Sequence, residues 1–267
     1  MKKISVALAT IGSMILIFVI MFTALEIALS DTAFINNEYT RLGMAKKMNM
    51  SQADLVNSCK KLIDYMQGKT DSIDIEVTID GEKTLMFDQM QEAVHMEDVQ
   101  KLYLTVKRYR DMGIIAFLVL FLLSAVLSFR SAIHTIAKGY IIGAFIMSLF
   151  IGFIGTWAAL DFSSFWTSFH QTLFWNDLWL FDPATSRMIN ILPEQFFHDF
   201  VIRLVIYAGG ALVLLLIIAI ILVLSYNHRR AKAIEKRSLT ENPFPQMQRQ
   251  KQSTIIPLPI KAKSNNK

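Results

Sequence analysis

Residues 162–200 read FSSFWTSFHQTLFWNDLWLFDPATSRMINILPEQFFHDF, and they lie between two long apolar runs, 139–161 and 201–226. The stretch is too polar to cross a bilayer. Each flanking run has the roughly 20 apolar residues that a helix needs to span about 30 Å of hydrocarbon. The aromatics of the stretch include Trp166, Trp175 and Trp179. Trp gathers at membrane–water boundaries, where an apolar ring body and a polar N–H suit the half-wet layer. Set among these rings are His170, Asn176, Asp177, Asp182 and Arg187. The expected arrangement is a segment lying along one membrane face and forming most of a reaction site there.

Two more apolar runs, 1–30 and 112–129, bring the expected spans to four. The fold class is therefore mainly α: a polytopic membrane protein whose 267 residues are 53% hydrophobic and 18% charged. Ala28-Leu29-Ser30 loosely resembles a signal-peptide cleavage site. The first run, however, exceeds the roughly 7–15 residues of a signal core, so it reads as an uncleaved span. Gly139/Gly143 and Gly152/Gly155 put small residues at helical spacing, which lets helices approach closely. One cysteine in the whole chain excludes an intrachain disulfide and a Cys-rich metal site.

Residues 31–111 are polar and read as small elements without a large core of their own. Ser51 with Asp54 three residues on caps a helix through Met66, whose apolar stripe includes Cys59, read as a packing residue; Gly68 ends it. Residues 73–79 alternate apolar and polar, Asp80-Gly81 turns the chain, and Thr84 begins the return: a β-hairpin. From Met90 a helical pattern runs toward the second span, with His95, Val99, Leu102, Val106 and Tyr109 sharing a face. Glu92 and Asp98 lie one turn either side of His95.

Four spans put both termini on one side. Lys2-Lys3, Arg130 and Lys138 in the connection 130–138, and the basic cluster after Tyr226 make that side cytoplasmic by the positive-inside tendency. Lys107, Arg108 and Arg110 oppose this and are outnumbered. Residues 31–111 and 162–200 then lie outside, and 227–267 form a basic cytoplasmic tail expected to be disordered. His134 and His228 fall inside; His95, His170 and His198 fall outside, His198 as an interfacial anchor. Two imidazoles from distant parts of the chain can thus reach one plane, and imidazole is suited to moving protons near neutral pH.

The sequence holds no HExxH, GxSxG, phosphate-binding glycine loop or nucleic-acid motif. Neither metal nor cofactor is expected. The absence of mid-membrane charge and of internal repeats argues against transport. An outer-face site with a His pair, an Arg and carboxylates fits acyl or proton-transfer chemistry on an amphipathic substrate. A non-catalytic accessory or sensory protein binding a partner or lipid at its outer face would share many of these features.

WNDLWLFDPATSRMINILPEQFF, with FHQTLF before it and EAVHMEDVQKLY upstream, resembles the bacterial lipoprotein intramolecular transacylase family. The resemblance runs from the first span through the fourth. It implies a membrane-embedded acyltransferase whose substrate is a diacylglyceryl-modified lipoprotein with a free N-terminal amino group. The acyl chain at the glycerol sn-2 position would move onto that amine, giving a lyso-form lipoprotein without a cofactor. His95 and His170 match the family's reactive pair, with His170 expected as general base and His95 as proton shuttle. Arg187, or else Asn176, would stabilise the oxyanion. Glu92, Asp98, Asp177, Trp179 and Asp182 would orient imidazoles or substrate. The pattern also leads one to expect an acidic residue just before Arg187, where this sequence has Ser186. Membrane lipids are expected partners, nucleic acid is not, and oligomeric state is open.

Overall fold

The structure is a computed structural model and describes residues 2–241. The chain divides into two compact units, residues 1–220 and 221–267. Four helices are long and apolar enough to cross a membrane, beginning with α1 (Lys2–Leu29). The second is α5 (Met90–Leu127), and the third is α6 (Ala132–Leu160), which follows a 3-10 turn at Phe129–Ser131. The fourth is α9 (Glu194–Glu241).

α1 is apolar all round between Lys3 and Glu26, and its buried positions are mostly small: Ser5, Ala9, Gly12 and Ser13. Hydrocarbon offers helices no hydrophobic reason to associate, so small residues that bring backbones together supply the packing. Gly139 of α6 sits so near α1 that a Cβ there would fall 2.4 Å from the Ala9 Cβ. A Cβ on Gly143 would fall 3.0 Å from that of Ser13. The second expected pair behaves differently: Gly152 and Gly155 have no atom within 4 Å of the Cβ position and make no such approach. Ser124 Oγ of α5 donates to the Ser5 carbonyl at 2.8 Å, and Tyr140 Oη of α6 to the Leu212 carbonyl at 3.1 Å.

α5 runs straight through residue 112, where the second span is expected to begin. One uninterrupted helix carries the polar turns around His95 and the apolar turns of the second span. The boundary is a change of polarity, marked by Arg110 and Asp111, and no residue there breaks helical backbone. The buried face also lies slightly to one side of the expected one: Glu92, His95, Met96 and Tyr103 are buried, while Tyr109 is exposed. Arg110 pairs with Glu26 at 2.6 Å and Tyr103 Oη donates to Glu26 at 3.1 Å, joining the last turns of α1 to the middle of α5.

Residues 31–111 pack into a core that they share with residues from the far end of the sequence. α2 (Thr32–Leu42) is capped by Asp31, whose side chain accepts from Phe34 N, and ends at Gly43 with φ 65. α3 (Met44–Lys47) and α4 (Gln52–Met66) follow, α4 capped by Ser51 as its spacing required. β1 (Glu76–Ile79) pairs antiparallel with β2 (Glu82–Leu85). Asp80 and Gly81 both have positive φ, the two-residue turn that matches strand twist. That turn sets Ile79 opposite Glu82, so the return begins two residues before Thr84. Ile35, Tyr39, Leu55, Cys59, Leu62, Val77 and Met86 pack together with Met188, Ile191 and Phe196 from the far end of the sequence. Burial pushes the Cys59 thiol up to about 12, which suits a packing residue.

α7 (Phe162–Leu173) is capped by Asp161 and is followed by loop 174–186 and α8 (Arg187–Ile191). α9 begins at Glu194, inside the stretch expected to be interfacial, and its described residues extend past 226 as helix. Residues 242–267 of the expected disordered tail lie outside the described residues. Arg203 and Tyr207 of α9 donate to Asp31, and Arg41 pairs with Asp199.

Candidate active site

His95 stands in the second turn of α5, about 25 Å of helix before Met112 at a 1.5 Å rise per residue. His170 stands in the last turn of α7. Their rings come together with centroids 6.3 Å apart and planes at 29°. Both are buried, at 7% and 9% exposure. Aromatics enclose them: Phe174 lies 5.2 Å from His95 and 5.7 Å from His170. Phe181 meets His95 edge-on at 5.3 Å, and Trp166 meets His170 edge-on at 4.6 Å. Trp179 stacks on His170 at 4.9 Å and 27°.

His170 Nδ1 lies 2.8 Å from the Trp166 carbonyl one turn back. A carbonyl only accepts, so Nδ1 carries the proton and the neutral ring keeps its lone pair at Nε2. His95 Nδ1 is buried and has no hydrogen-bond partner among the described residues. Burial pushes the His95 pKa down to about 4; His170 beside it adds to the fall and Asp98 opposes it. Burial also lowers the His170 pKa, against the pull of the Trp166 carbonyl. Both rings are neutral at pH 7, one with a fixed tautomer.

Loop 174–186 is held against the rings by the first turns of α5. Gln91 Nε2 donates to the Leu178 and Leu180 carbonyls, each at 3.0 Å. Glu92, fully buried, accepts from Ser186 Oγ at 2.6 Å and Met188 N at 3.0 Å. Asp98 accepts from Asn176 Nδ2 at 2.9 Å. The place of Ser186 now has a reason: an acidic side chain there would face the Glu92 carboxylate, whereas a hydroxyl donates to it.

The remaining expected residues make contacts of their own. Arg187 Nη1 donates to the Leu85 carbonyl at 2.7 Å and to Asp88 at 3.1 Å, tying α8 to the end of the hairpin. Asp182 shapes the loop by accepting from Ala184 N. Asp177 is exposed and accepts from Leu180 N through its main-chain carbonyl. His198 lies beside Asp199 and meets Phe162 edge-on. Sequence reasoning missed Gln91 and Ser186, whose partners lie about 90 residues away, and the enclosing roles of Phe174 and Phe181. The i, i+4 spacing of Trp166 and His170 was the one local signal for part of the box. A hollow of about 570 Å³ lies between α1 and α5, lined by Ile11, Phe18, Met112 and Gly113 among others; it contains neither histidine.

The fold has known counterparts. The in meso structure of the membrane integral lipoprotein intramolecular transacylase Lit from Bacillus cereus superposes with a TM-score of 0.68 at 18% identity, covering 85% of this chain and 98% of that chain. Two structures of single-histidine variants of that protein each give a TM-score of 0.62 at 18% identity. They cover 86% and 85% of this chain and 95% and 96% of theirs. No curated protein matches the sequence. The family model for lipoprotein intramolecular transacylase Lit matches residues 10–197, well over half of the chain. With four apolar helices of spanning length and that match, the chain belongs to the lipoprotein intramolecular transacylase family and is a multi-pass membrane enzyme.

Proposed function

We propose that the enzyme moves the sn-2 acyl chain of a diacylglyceryl-modified lipoprotein onto the α-amino group of its N-terminal cysteine, with His170 as general base and His95 as proton shuttle. The observation that carries this reading is the pair of buried, neutral imidazoles 6.3 Å apart, one with its free lone pair defined. A free α-amino group titrates near 7.7–8.0, but its nitrogen becomes positive and far more acidic as it bonds to the carbonyl carbon, so even an imidazole whose pKa burial lowers can take the proton. The amine nitrogen bonds to the ester carbonyl carbon and its proton passes to His170 Nε2. The tetrahedral intermediate then collapses, the bond to the glycerol oxygen breaks, and the imidazole pair returns a proton to that oxygen. An ester becomes an amide, and no redox partner or cofactor enters the balance. Donor and acceptor belong to one molecule, so correct positioning can supply roughly 7–11 kcal/mol of the barrier.

Glu92, Asp98 and Asn176 act in this scheme as positioning residues, because they hold the loop that encloses the rings. Aromatic walls keep water from competing with the amine, so transfer prevails over hydrolysis. The site faces the extracytoplasmic side of a bacterial cytoplasmic membrane, with both termini inside; the three basic segments on the opposite side support that orientation. The reading is tested by mass spectrometry of lipoprotein N-terminal peptides from cells with and without the chain. The expected product carries an N-acyl group and a monoacylglyceryl thioether at unchanged total mass. Loss of one acyl mass without amide gain would identify a hydrolase instead, and unchanged peptides would remove the reading altogether.

A further inference from the structure

We propose that the indole N–H of Trp179 is the oxyanion donor of this site, giving its hydrogen bond to the acyl carbonyl oxygen as that oxygen gains charge. The proposal rests on the acyl transfer described above. Each donor expected from sequence already bonds a protein group: Arg187 Nη1 bonds the Leu85 carbonyl and Asp88, and Asn176 Nδ2 bonds Asp98. Trp179 Nε1 is buried and has no hydrogen-bond partner among the described residues. A buried N–H left without an acceptor costs about 1–3 kcal/mol, and tryptophan normally finds one when buried. Here the ring that carries it stacks on His170, the base.

The position suits the chemistry. His170 takes the proton from the amine that attacks the carbonyl, so the carbonyl oxygen must lie within a few ångströms of the same imidazole. Trp179 stacked against that imidazole brings a neutral, preoriented donor to the place where charge develops. A donor without a protein partner gives up no other bond when the oxyanion forms, and little rearrangement is needed. An aromatic N–H also leaves the pocket uncharged, as an acyl chain requires. Loop 174–186 fixes the ring through the Gln91 bonds to the carbonyls of Leu178 and Leu180, the residues on either side of Trp179.

The test replaces Trp179 with benzothienylalanine, which keeps the bicyclic shape and exchanges N–H for sulfur. Trp179→Phe, which keeps a stacked ring, is measured beside it. Removal of one oxyanion donor lowers kcat by about 100- to 1000-fold. That loss is expected in kcat for both variants, with KM nearly unchanged. Melting temperature of the isostere should equal or exceed wild type, because its N–H bonds no protein group. Wild-type kcat in the isostere, or a loss confined to KM, overturns the proposal. His170→Ala measured alongside separates the two levels. If it stays active, the histidine reading has failed; if it is inactive while the isostere turns over normally, only the role of Trp179 has failed.

Discussion

The apolar bundle and the polar head of this enzyme are held together by different means. In the bundle, α1 and α6 meet through Ala9, Ser13, Gly139 and Gly143, and backbone proximity provides the contact. In the head, an apolar core from α2, α4 and the hairpin is closed by late residues Met188, Ile191 and Phe196, and side-chain hydrogen bonds pin loop 174–186 to α5. α5 belongs to both regions, so the helix that anchors the protein in the bilayer also carries His95 and its neighbours. The difference teaches that precise placement of the imidazoles is a property of the head, while the bundle supplies one rigid rod for it to build on.

The sharpest way to break the contrast is in the bundle. Gly139→Leu drives a side chain into the backbone of α1 and should cost about 3 kcal/mol or more. Gly152→Ala, which meets open space, should leave the melting temperature in detergent within a degree or two of wild type. Equal effects at the two glycines would contradict the packing described for α6.

In the head, Glu92→Ala leaves Ser186 Oγ and Met188 N without their acceptor, a loss of about 1–3 kcal/mol. Conversion should slow about tenfold as loop 174–186 loosens. Glu92→Gln keeps an accepting oxygen and should lose much less. Equal damage in the two variants would mean that the charge itself acts, and not its hold on the loop.

Acid should act on the head through its imidazoles. His95 titrates at about 4 when folded and near 6.5 when unfolded, and the His170 pKa is also lowered. Between those values the unfolded chain binds protons that the folded one does not, so stability is full above pH 6.5 and falls as pH drops toward 4. The melting temperature should therefore fall across that window, and less steeply in His95→Leu. Histidine NMR that finds His95 charged at pH 6 would contradict the burial assigned to it.

The smallest effect is expected at Arg187. Its pair with Asp88 is partly exposed and contributes at most about 1 kcal/mol. Arg187→Gln should keep conversion within about twofold of wild type; a hundredfold loss would return this residue to the oxyanion role read from sequence.

The same contrast explains what could be read before the structure. Span length, glycine spacing at Gly139 and Gly143, the Ser51 cap and the Asp80-Gly81 turn are local signals, each complete within a few residues. The head's core was invisible because Tyr39, Leu62, Met86 and Ile191 come from segments too short to announce a core alone. The convergence of His95 and His170 was legible through topology, because it required only that both lie on one face. The detailed roles were not, since Ser186 and Gln91 act on partners about 90 residues away. The bonds of Arg187 to Asp88 and of Asn176 to Asp98 are likewise formed at long range and had no local signal.

The most direct measurement is single-turnover conversion of a diacylglyceryl-cysteine peptide by purified, folded His95→Ala and His170→Ala, followed by mass spectrometry. General acid–base groups contribute about 10²–10⁴ in rate, so each variant should lose at least a hundredfold, with the larger loss at His170. Near-wild-type formation of the N-acyl product by both variants would contradict the proton relay.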